Sequence, residues 1–311
     1  MRLALLLVAF AAPACAQPVE KPAAVPDTYP RRADSVISRA SPVPSPADVD
    51  SLTTTDLRVP LGAGRVTVRV HTAPTTDALG SPGVEAFPLN ALNLHDDEGT
   101  SVEAALDVLR QRGGRVVELV HSGERNVAFD VVTGRVYANG EDRPEFASYV
   151  ADPNRMFTPA GRERTLGALS TADATGADAL AAFADSVLAV YAAVPPAVVL
   201  TLHNNTEANY SAASYEPGAP YASDAAAVTV HDGSDPDDFF FVTDRAIYDA
   251  LVARGFNAVL QDNDAATDDG SLSVWAAREG VPYVNVEAQH GHREQQATML
   301  LALLDVLEAS R

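Results

Sequence analysis

The feature that most constrains the fold of this chain is an alternation of strand-like and helix-like segments from residue 62 onward. Short β-rich runs such as "RVTVRVHT", "RVVELVHSG", "AVVLTL" and "VPYVNVE" alternate with segments of helical apolar spacing, such as "SVEAALDVLRQRGG" and "REQQATMLLALLDVLEAS". This alternation predicts an α/β fold, a single-domain α/β/α sandwich with a mixed, largely parallel central sheet. No internal repeat is visible, and we expect one domain over residues 62–311.

The N-terminal residues lack this alternation. Residues 1–16, "MRLALLLVAFAAPACA", combine one arginine, a short apolar run and a small-residue pattern, which predicts a secretory signal peptide. We therefore expect export to the periplasm or the medium, with a lipid anchor at Cys15 as the alternative. The apolar run is too short to span a bilayer, so we expect no transmembrane segment. Residues 17–61 are rich in Pro, Ala and Ser and predict a linker or an extended arm.

The charge of the chain limits its partners. Its net charge is −20, and Lys21 is the only lysine among 311 residues. Phosphate binding needs clustered cations, so we expect no nucleic-acid partner. The excess of carboxylates is explained more simply by solubility outside the cell, where surface charge is well hydrated.

Three apolar strand candidates end in residues that can bind a metal ion or transfer a proton. His95 and Glu98 follow "NALNL", His203 follows "VVLTL", and Glu287 ends "PYVNVE". Because the carboxyl ends of strands line the ligand crevice of open α/β sheets, these side chains are expected to meet. Two histidines and a carboxylate are one ligand set of catalytic zinc, which predicts one Zn²⁺ per chain. Glu287, not bound to the metal, is then the expected catalytic acid/base.

A fifth element is "ADPNRMFTPAG", in which Asn154 and Arg155 lie in a proline-flanked, loop-like segment. The guanidinium group presents a fork of donors that matches a carboxylate, and an adjacent amide adds another donor. We therefore expect Asn154 and Arg155 to bind a substrate carboxylate. The alternative for Arg155 is a structural role in its loop.

The order of these motifs resembles that of the zinc carboxypeptidases, especially their succinylglutamate desuccinylase/aspartoacylase branch. "DPNRMF" is similar to the Asp-Leu-Asn-Arg motif of that branch, and "TLHNNT" to the Leu-His-Asn-Thr context of its last zinc-binding histidine. The likeness covers about Val84 to Glu308. It implies the zinc ligands, carboxylate-binding residues and acid/base given above. It also implies an arginine upstream of the Asn-Arg pair that polarises the scissile carbonyl, for which Arg143 is the nearest candidate.

The resemblance implies an enzyme that hydrolyses an amide bond in a small peptide or an acylated amino acid. Export favours a metallocarboxypeptidase that acts on peptides, including cell-wall peptides, next to a free carboxylate. The first alternative is an N-acyl amino acid deacylase of the desuccinylase/aspartoacylase type. The second is a non-catalytic binding protein with the same fold, against which the complete ligand set and Glu287 argue.

Each of these residues also has a purely structural alternative. His95 and Glu98 could belong to an exposed acidic loop that precedes a helix. His203 could be a hydrogen-bonded histidine at a strand end. Glu287 could form an ion pair with Arg293.

Two further histidines, His290 and His292, follow in "EAQHGH". We interpret them as residues of the site rim, with His290 as a candidate substrate contact, and a second metal site is the alternative. His71, His121 and His231 have no identifiable partners in the sequence and are expected to be structural or surface residues.

Overall fold

The computed structural model describes residues 52–75, 77–78, 81–85 and 87–310. The elements in chain order are β1 (Thr53–Leu61), β2 (Gly64–Ala73), β3 (Asp77–Ala78), β4 (Ser81–Glu85), β5 (Leu89–Asn93), α1 (Gly99–Arg112), β6 (Gly114–Val120), β7 (Val127–Ala138), β8 (Glu141–Ala151), α2 (Pro159–Leu169), α3 (Ala174–Tyr191), β9 (Val199–Asn205), β10 (Ala225–Thr229), β11 (Phe239–Val242), α4 (Arg245–Val252), β12 (Ala258–Gln261), α5 (Leu272–Glu279), β13 (Tyr283–Gln289) and α6 (Arg293–Ala309). The predicted signal peptide, with Cys15, lies outside the described residues. Within them, no helix has the length and apolar character needed to cross a membrane.

A nine-stranded mixed sheet forms the centre of the fold, in the order β1-β2-β6-β5-β9-β13-β11-β12-β10. Its four middle strands, β6, β5, β9 and β13, are parallel, and antiparallel pairs lie towards both edges. One core packs under α1, α4 and α6, and the other includes residues of α2, α3 and α5. The predicted α/β fold with a mixed sheet between helices is therefore confirmed.

The two central strands β9 and β13 separate apolar and polar side chains by the two-residue period of a strand. Leu202 and Val286 belong to the core under α1 and α6. Their neighbours His203 and Glu287 point to the opposite face and lie directly opposite each other in the parallel register. The alternation in "VLTLHNN" and "YVNVEAQ" thus directs polar groups of both strands to one side of the sheet.

The sheet begins before residue 62, inside the stretch predicted as a linker. β1 pairs with β2 along its full length in an antiparallel hairpin whose turn includes Gly62, at φ +57°. Most residues of β1 are exposed, so the strand lacks the apolar alternation by which the other strands are recognised in the sequence. Residues 17–51 of the predicted linker lie outside the described residues.

β7 and β8 form a separate two-stranded hairpin between β6 and α2. β7 continues through a register shift between Val132 and Gly134 and does not turn there. The turn lies instead at Asn139-Gly140, where both residues have positive φ, 53° and 83°. An Asn-Gly pair in this conformation is a favoured two-residue hairpin turn.

The backbone carbonyl of Arg155 lies against two glycines that allow close contact between chain segments. A Cβ added to Gly161 would lie 2.1 Å from the Cα of Gly270 and 2.7 Å from the Arg155 carbonyl oxygen. Gly270 itself has φ +85°, and its carbonyl oxygen accepts a hydrogen bond from the N–H of Phe157. These backbone contacts hold the loop that carries Arg155 against the start of α5.

We predict that Gly161→Ala destabilises the protein by about 1–3 kcal/mol, because the methyl group has no space against fixed backbone atoms. Gly167→Ala, in the same helix, is the matched control, since its Cβ would make an ordinary 3.6 Å contact with the Ala172 methyl. The control should be neutral or stabilising by up to about 1 kcal/mol. Urea unfolding of both variants measures the difference, and equal stabilities would contradict the close contact.

Candidate active site

His95, Glu98 and His203 come together at the carboxyl ends of β5 and β9. These strands are parallel neighbours, with Asn93 opposite Leu202, so the residues that follow them emerge side by side. His95 and Glu98 are each 1% exposed and His203 is 5% exposed. The alternative of an exposed acidic loop is therefore wrong for His95 and Glu98.

The three side chains form a group that can hold one metal ion. His95 Nδ1 lies 2.8 Å from Glu98 Oε1 and 3.0 Å from His203 Nδ1, which is 2.9 Å from Glu98 Oε2. Ligand atoms about 2.0–2.1 Å from one tetrahedral ion lie about 3.3 Å from each other, close to these separations. Two ring nitrogens and a carboxylate also match the donor preference of zinc. The residues therefore fit a single zinc-sized ion.

The electrostatics of this group favour a positive charge at its centre. Burial opposes charging of His95, but Glu98 and Asp152 outweigh it and raise the imidazole pKa to about 9. Burial also opposes ionisation of Glu98, yet the two imidazoles hold its pKa far below the usual range. His203, almost fully buried, has a lowered pKa because burial dominates. The same negative surroundings that favour a proton on His95 also favour a divalent cation.

The outer ring nitrogens of both histidines have polar partners. His95 Nε2 lies 2.8 Å from Asp152 Oδ1, and His203 Nε2 lies 3.3 Å from the amide nitrogen of Asn154. A carboxylate on the far nitrogen fixes the orientation of a metal-binding imidazole and raises its basicity. Asp152, which precedes the Asn-Arg pair by two residues and was not predicted from the sequence, is thus a further residue of the site.

Glu287 lies on β13 directly opposite His203 on β9. It is 4% exposed, and its Oε2 accepts a 2.9 Å hydrogen bond from Asn285. Burial, with a smaller contribution from the charge of Glu98, raises its pKa to about 8. The predicted alternative, an ion pair with Arg293, is wrong, since Arg293 pairs with other carboxylates, those of Glu103 and Asp107.

Glu98 and His203 of the metal-binding group line one cavity of about 770 Å³ together with Glu287. Three arginines of this strongly acidic chain also line it: Arg125, Arg155 and Arg164. Arg125 donates from Nη1 to Glu98 Oε1 at 2.8 Å, and its other terminal nitrogen lies 3.5 Å from Asp152. Its side chain is 44% exposed, so the guanidinium also faces the cavity.

Arg155 and Asn154 differ in how many of their side-chain polar groups are free to bind a substrate anion. Nη1 of Arg155 donates to the backbone oxygen of Asn154 at 2.8 Å, and Nε lies 3.4 Å from Asp269. Burial opposes its charge, but Asp269 and Asp152 keep the pKa of Arg155 raised. The Asn154 side-chain oxygen already accepts the N–H of Leu272 at 3.1 Å. Arg155 therefore offers the stronger contact for an anion.

Arg143 is not brought to this site. It lies on the β7–β8 hairpin, where it is 61% exposed and binds Glu141. The arginine beside the metal-binding group is Arg125, which sequence spacing did not identify. Its position just beyond the carboxyl end of β6, a parallel neighbour of β5, is the signal that could have found it.

His290 and His292 do not line the cavity either. His290 is exposed, and its backbone N–H donates to Asn205. His292 forms an ion pair with Asp238 at 3.0 Å, and together with Asp235 it makes a second group of potential ligands. The predicted contact of His290 with substrate therefore has no support in the cavity lining.

No protein-family model matches the chain, and no curated protein matches it. Among solved structures, it is similar to a succinylglutamate desuccinylase from Vibrio parahaemolyticus, at 10% identity and a TM-score of 0.39 over 85% of this chain and 69% of that one. It is also similar to the murein-tripeptide amidase of Escherichia coli O157, at 12% identity and a TM-score of 0.37 over 84% and 93%. An N-formylglutamate amidohydrolase from Ralstonia eutropha JMP134 has 16% identity and a TM-score of 0.31 over 71% and 94%. The branch that the motifs resemble is thus among the structural neighbours, but these scores assign no activity to the chain.

We predict about one bound metal ion per chain, lost almost completely in His95→Ala, Glu98→Ala and His203→Ala. Asp152→Asn should keep the ligands but weaken metal affinity by about 10- to 100-fold, because the orienting carboxylate is gone. Elemental analysis and chelator competition give stoichiometry and affinity. His290→Ala is the control and should bind metal like the native chain, and full occupancy in the three ligand variants would disprove the site.

Proposed function

We propose that this chain is an exported, zinc-dependent amide hydrolase of the carboxypeptidase type that cleaves peptides next to a free carboxylate. The observation that carries the proposal is one cavity lined by Glu98 and His203 of the metal-binding group, by a buried carboxyl group at Glu287, and by Arg125 and Arg155. This combination offers a Lewis-acid site, a proton acceptor and anion-binding groups within reach of one small substrate. Export rests on the predicted signal peptide, and it favours peptides of the cell wall or medium over cytoplasmic metabolites.

His95, Glu98 and His203 would hold the zinc ion, which supplies polarisation of an amide carbonyl and a lowered pKa for water. Arg155 binds the substrate carboxylate, because its guanidinium lines the cavity. Arg125, beside Glu98, is placed to donate to the carbonyl oxygen as negative charge develops there. Both arginines orient the substrate through charge-assisted hydrogen bonds.

Glu287 is the proposed acid/base. Its carboxylate accepts a proton from the attacking water while the new carbon–oxygen bond forms, and returns it to the nitrogen as the carbon–nitrogen bond breaks. The raised pKa of about 8 suits a group that must both take and give a proton near neutral pH. A cation bound by Glu98 would offset the negative charge of that residue. This would lower the pKa of Glu287 and favour its carboxylate form before attack.

We predict that Arg155→Lys lowers kcat/KM for a substrate with a free carboxylate by about 10- to 100-fold, because the planar fork is lost although the charge is kept. The amidated substrate should be poor for the native chain and little changed by the substitution. Arg162→Lys is the matched control, since Arg162 donates to the Met156 carbonyl and does not line the cavity. Equal turnover of acid and amide substrates by the native chain would rule out carboxylate recognition by Arg155.

We predict that Glu287→Gln keeps the bound metal and the substrate affinity but lowers kcat by about 10²- to 10⁴-fold, because the amide cannot accept a proton. The substrate is first found with a panel of short peptides, murein peptides and N-acyl amino acids. Preference for an N-acyl amino acid would replace the peptidase proposal with the deacylase. If the native chain binds metal and a panel member but hydrolyses none, it is a binding protein.

A further inference from the structure

We propose that Asn285 is a positioning residue for Glu287, and that Thr201 and Tyr283 fix the orientation of its side-chain amide. The inference rests on the proposed role of Glu287 as acid/base. It assigns a function to a row of buried polar side chains, of which Tyr283 and Asn285 line the cavity, that neither metal binding nor carboxylate recognition requires.

The row follows from the pairing of β9 and β13. Tyr283, Asn285 and Glu287 alternate along β13 and therefore share one face of the sheet. Thr201 of β9 lies opposite Asn285 in the parallel register, just as His203 lies opposite Glu287. Tyr283, Thr201 and Asn285 are at most 6% exposed, so their polar groups need partners within the protein.

The hydrogen bonds of this row run in one direction. The Thr201 hydroxyl donates to Asn285 Oδ1 at 3.3 Å, and Asn285 Nδ2 donates to Glu287 Oε2 at 2.9 Å. A threonine hydroxyl has only one hydrogen, so in the 2.6 Å contact between Thr201 and Tyr283 the tyrosine hydroxyl is the donor. The chain of donors thus begins at Tyr283 and ends on the carboxylate.

This direction determines which end of the Asn285 amide faces Glu287. If the amide were flipped, Oδ1 would face the ionised carboxylate that acts as the base, and two acceptors would lie in contact without a hydrogen between them. The Thr201 hydroxyl supports the same orientation, because it donates to Oδ1 on the other side of the amide. Asn285 therefore holds Oε2 of Glu287 in place, which leaves Oε1 for proton transfer. Such restraint of a reacting group maintains catalytic geometry.

The first test replaces the donor. Asn285→Leu keeps approximate volume but cannot donate, and it should lower kcat by about 10- to 100-fold, the value of a hydrogen bond to a charged group. KM and metal content should stay native, because Asn285 does not contact the metal ligands by any hydrogen bond among the described residues. Asn285→Asp is a second variant of nearly identical shape, and it should also lose turnover. A loss of metal, or a fall in thermal stability that accounts for the lost activity, would indicate a purely structural role.

The second test uses a matched pair at Thr201. Thr201→Val removes the hydroxyl while keeping the shape, and it should lower kcat by about 3- to 10-fold, since only the orientation of Asn285 is released. Thr201→Ser keeps the hydroxyl and should restore native turnover. Equal rates for the valine and serine variants would show that the hydroxyl does not orient the amide.

A double-mutant cycle separates positioning from general structural support. If Asn285 acts through Glu287, then Asn285→Leu added to Glu287→Gln should cause no further loss of kcat, because no base remains to be positioned. Additive losses would overturn the inference. Failure of the proposed function gives a different result, because Glu287→Gln alone would then hydrolyse as fast as the native chain.

Discussion

The parallel pairing of β9 with both β5 and β13 at the centre of the sheet is the constraint on which the site depends. β9 lies between the strands that carry the other catalytic candidates, so His203 is placed next to His95 on one side and next to Glu287 on the other. A one-residue shift of this register would direct His203 into the apolar core under α1 and α6. The apolar neighbours of these polar residues in the sequence, such as Leu202 and Val286, are fully buried. The shift would be costly because it would remove them from the core. Packing on one face of the sheet therefore maintains the chemistry on the other.

This arrangement places two glutamates in one cavity with opposite titration behaviour. Glu98 lies between two imidazoles that lower its pKa far below the usual value in spite of burial. Among the described residues, Glu287 forms no ion pair and accepts a hydrogen bond from a neutral amide, so burial raises its pKa to about 8. Buried carboxylates whose pKa values are moved apart in this way are suited to different tasks, one as a constant negative ligand and the other as a group that exchanges a proton.

Much of the fold and the centre of the site could be predicted from the sequence, because both depend on short-range periodicity. Short apolar, β-rich runs identified β9 and β13, and their terminal residues His203 and Glu287 were expected to meet at the strand ends. Strand β1 escaped prediction because an exposed edge strand has no apolar face to reveal it. Asp152 was missed for another reason: its role depends on a contact with His95, and a contact between distant residues has no periodic signal in one sequence.

The β7–β8 hairpin explains why Arg143, and not Arg125, was predicted as the arginine that acts on the scissile carbonyl. Antiparallel pairing brings Val127 opposite Ala151, so the chain returns to its starting point after the hairpin whatever its length. Arg125 precedes the first strand, Asp152 follows the second, and the two side chains lie 3.5 Å apart at the base of the hairpin. Most of the residues just upstream of the Asn-Arg pair therefore belong to the hairpin, which extends away from the site, so sequence spacing does not indicate distance from the site. Arg143 is nearer to the Asn-Arg pair in sequence but lies within the hairpin, away from its base. Arg125 lies at the base of the hairpin, next to the metal-binding group, because the two strands pair there.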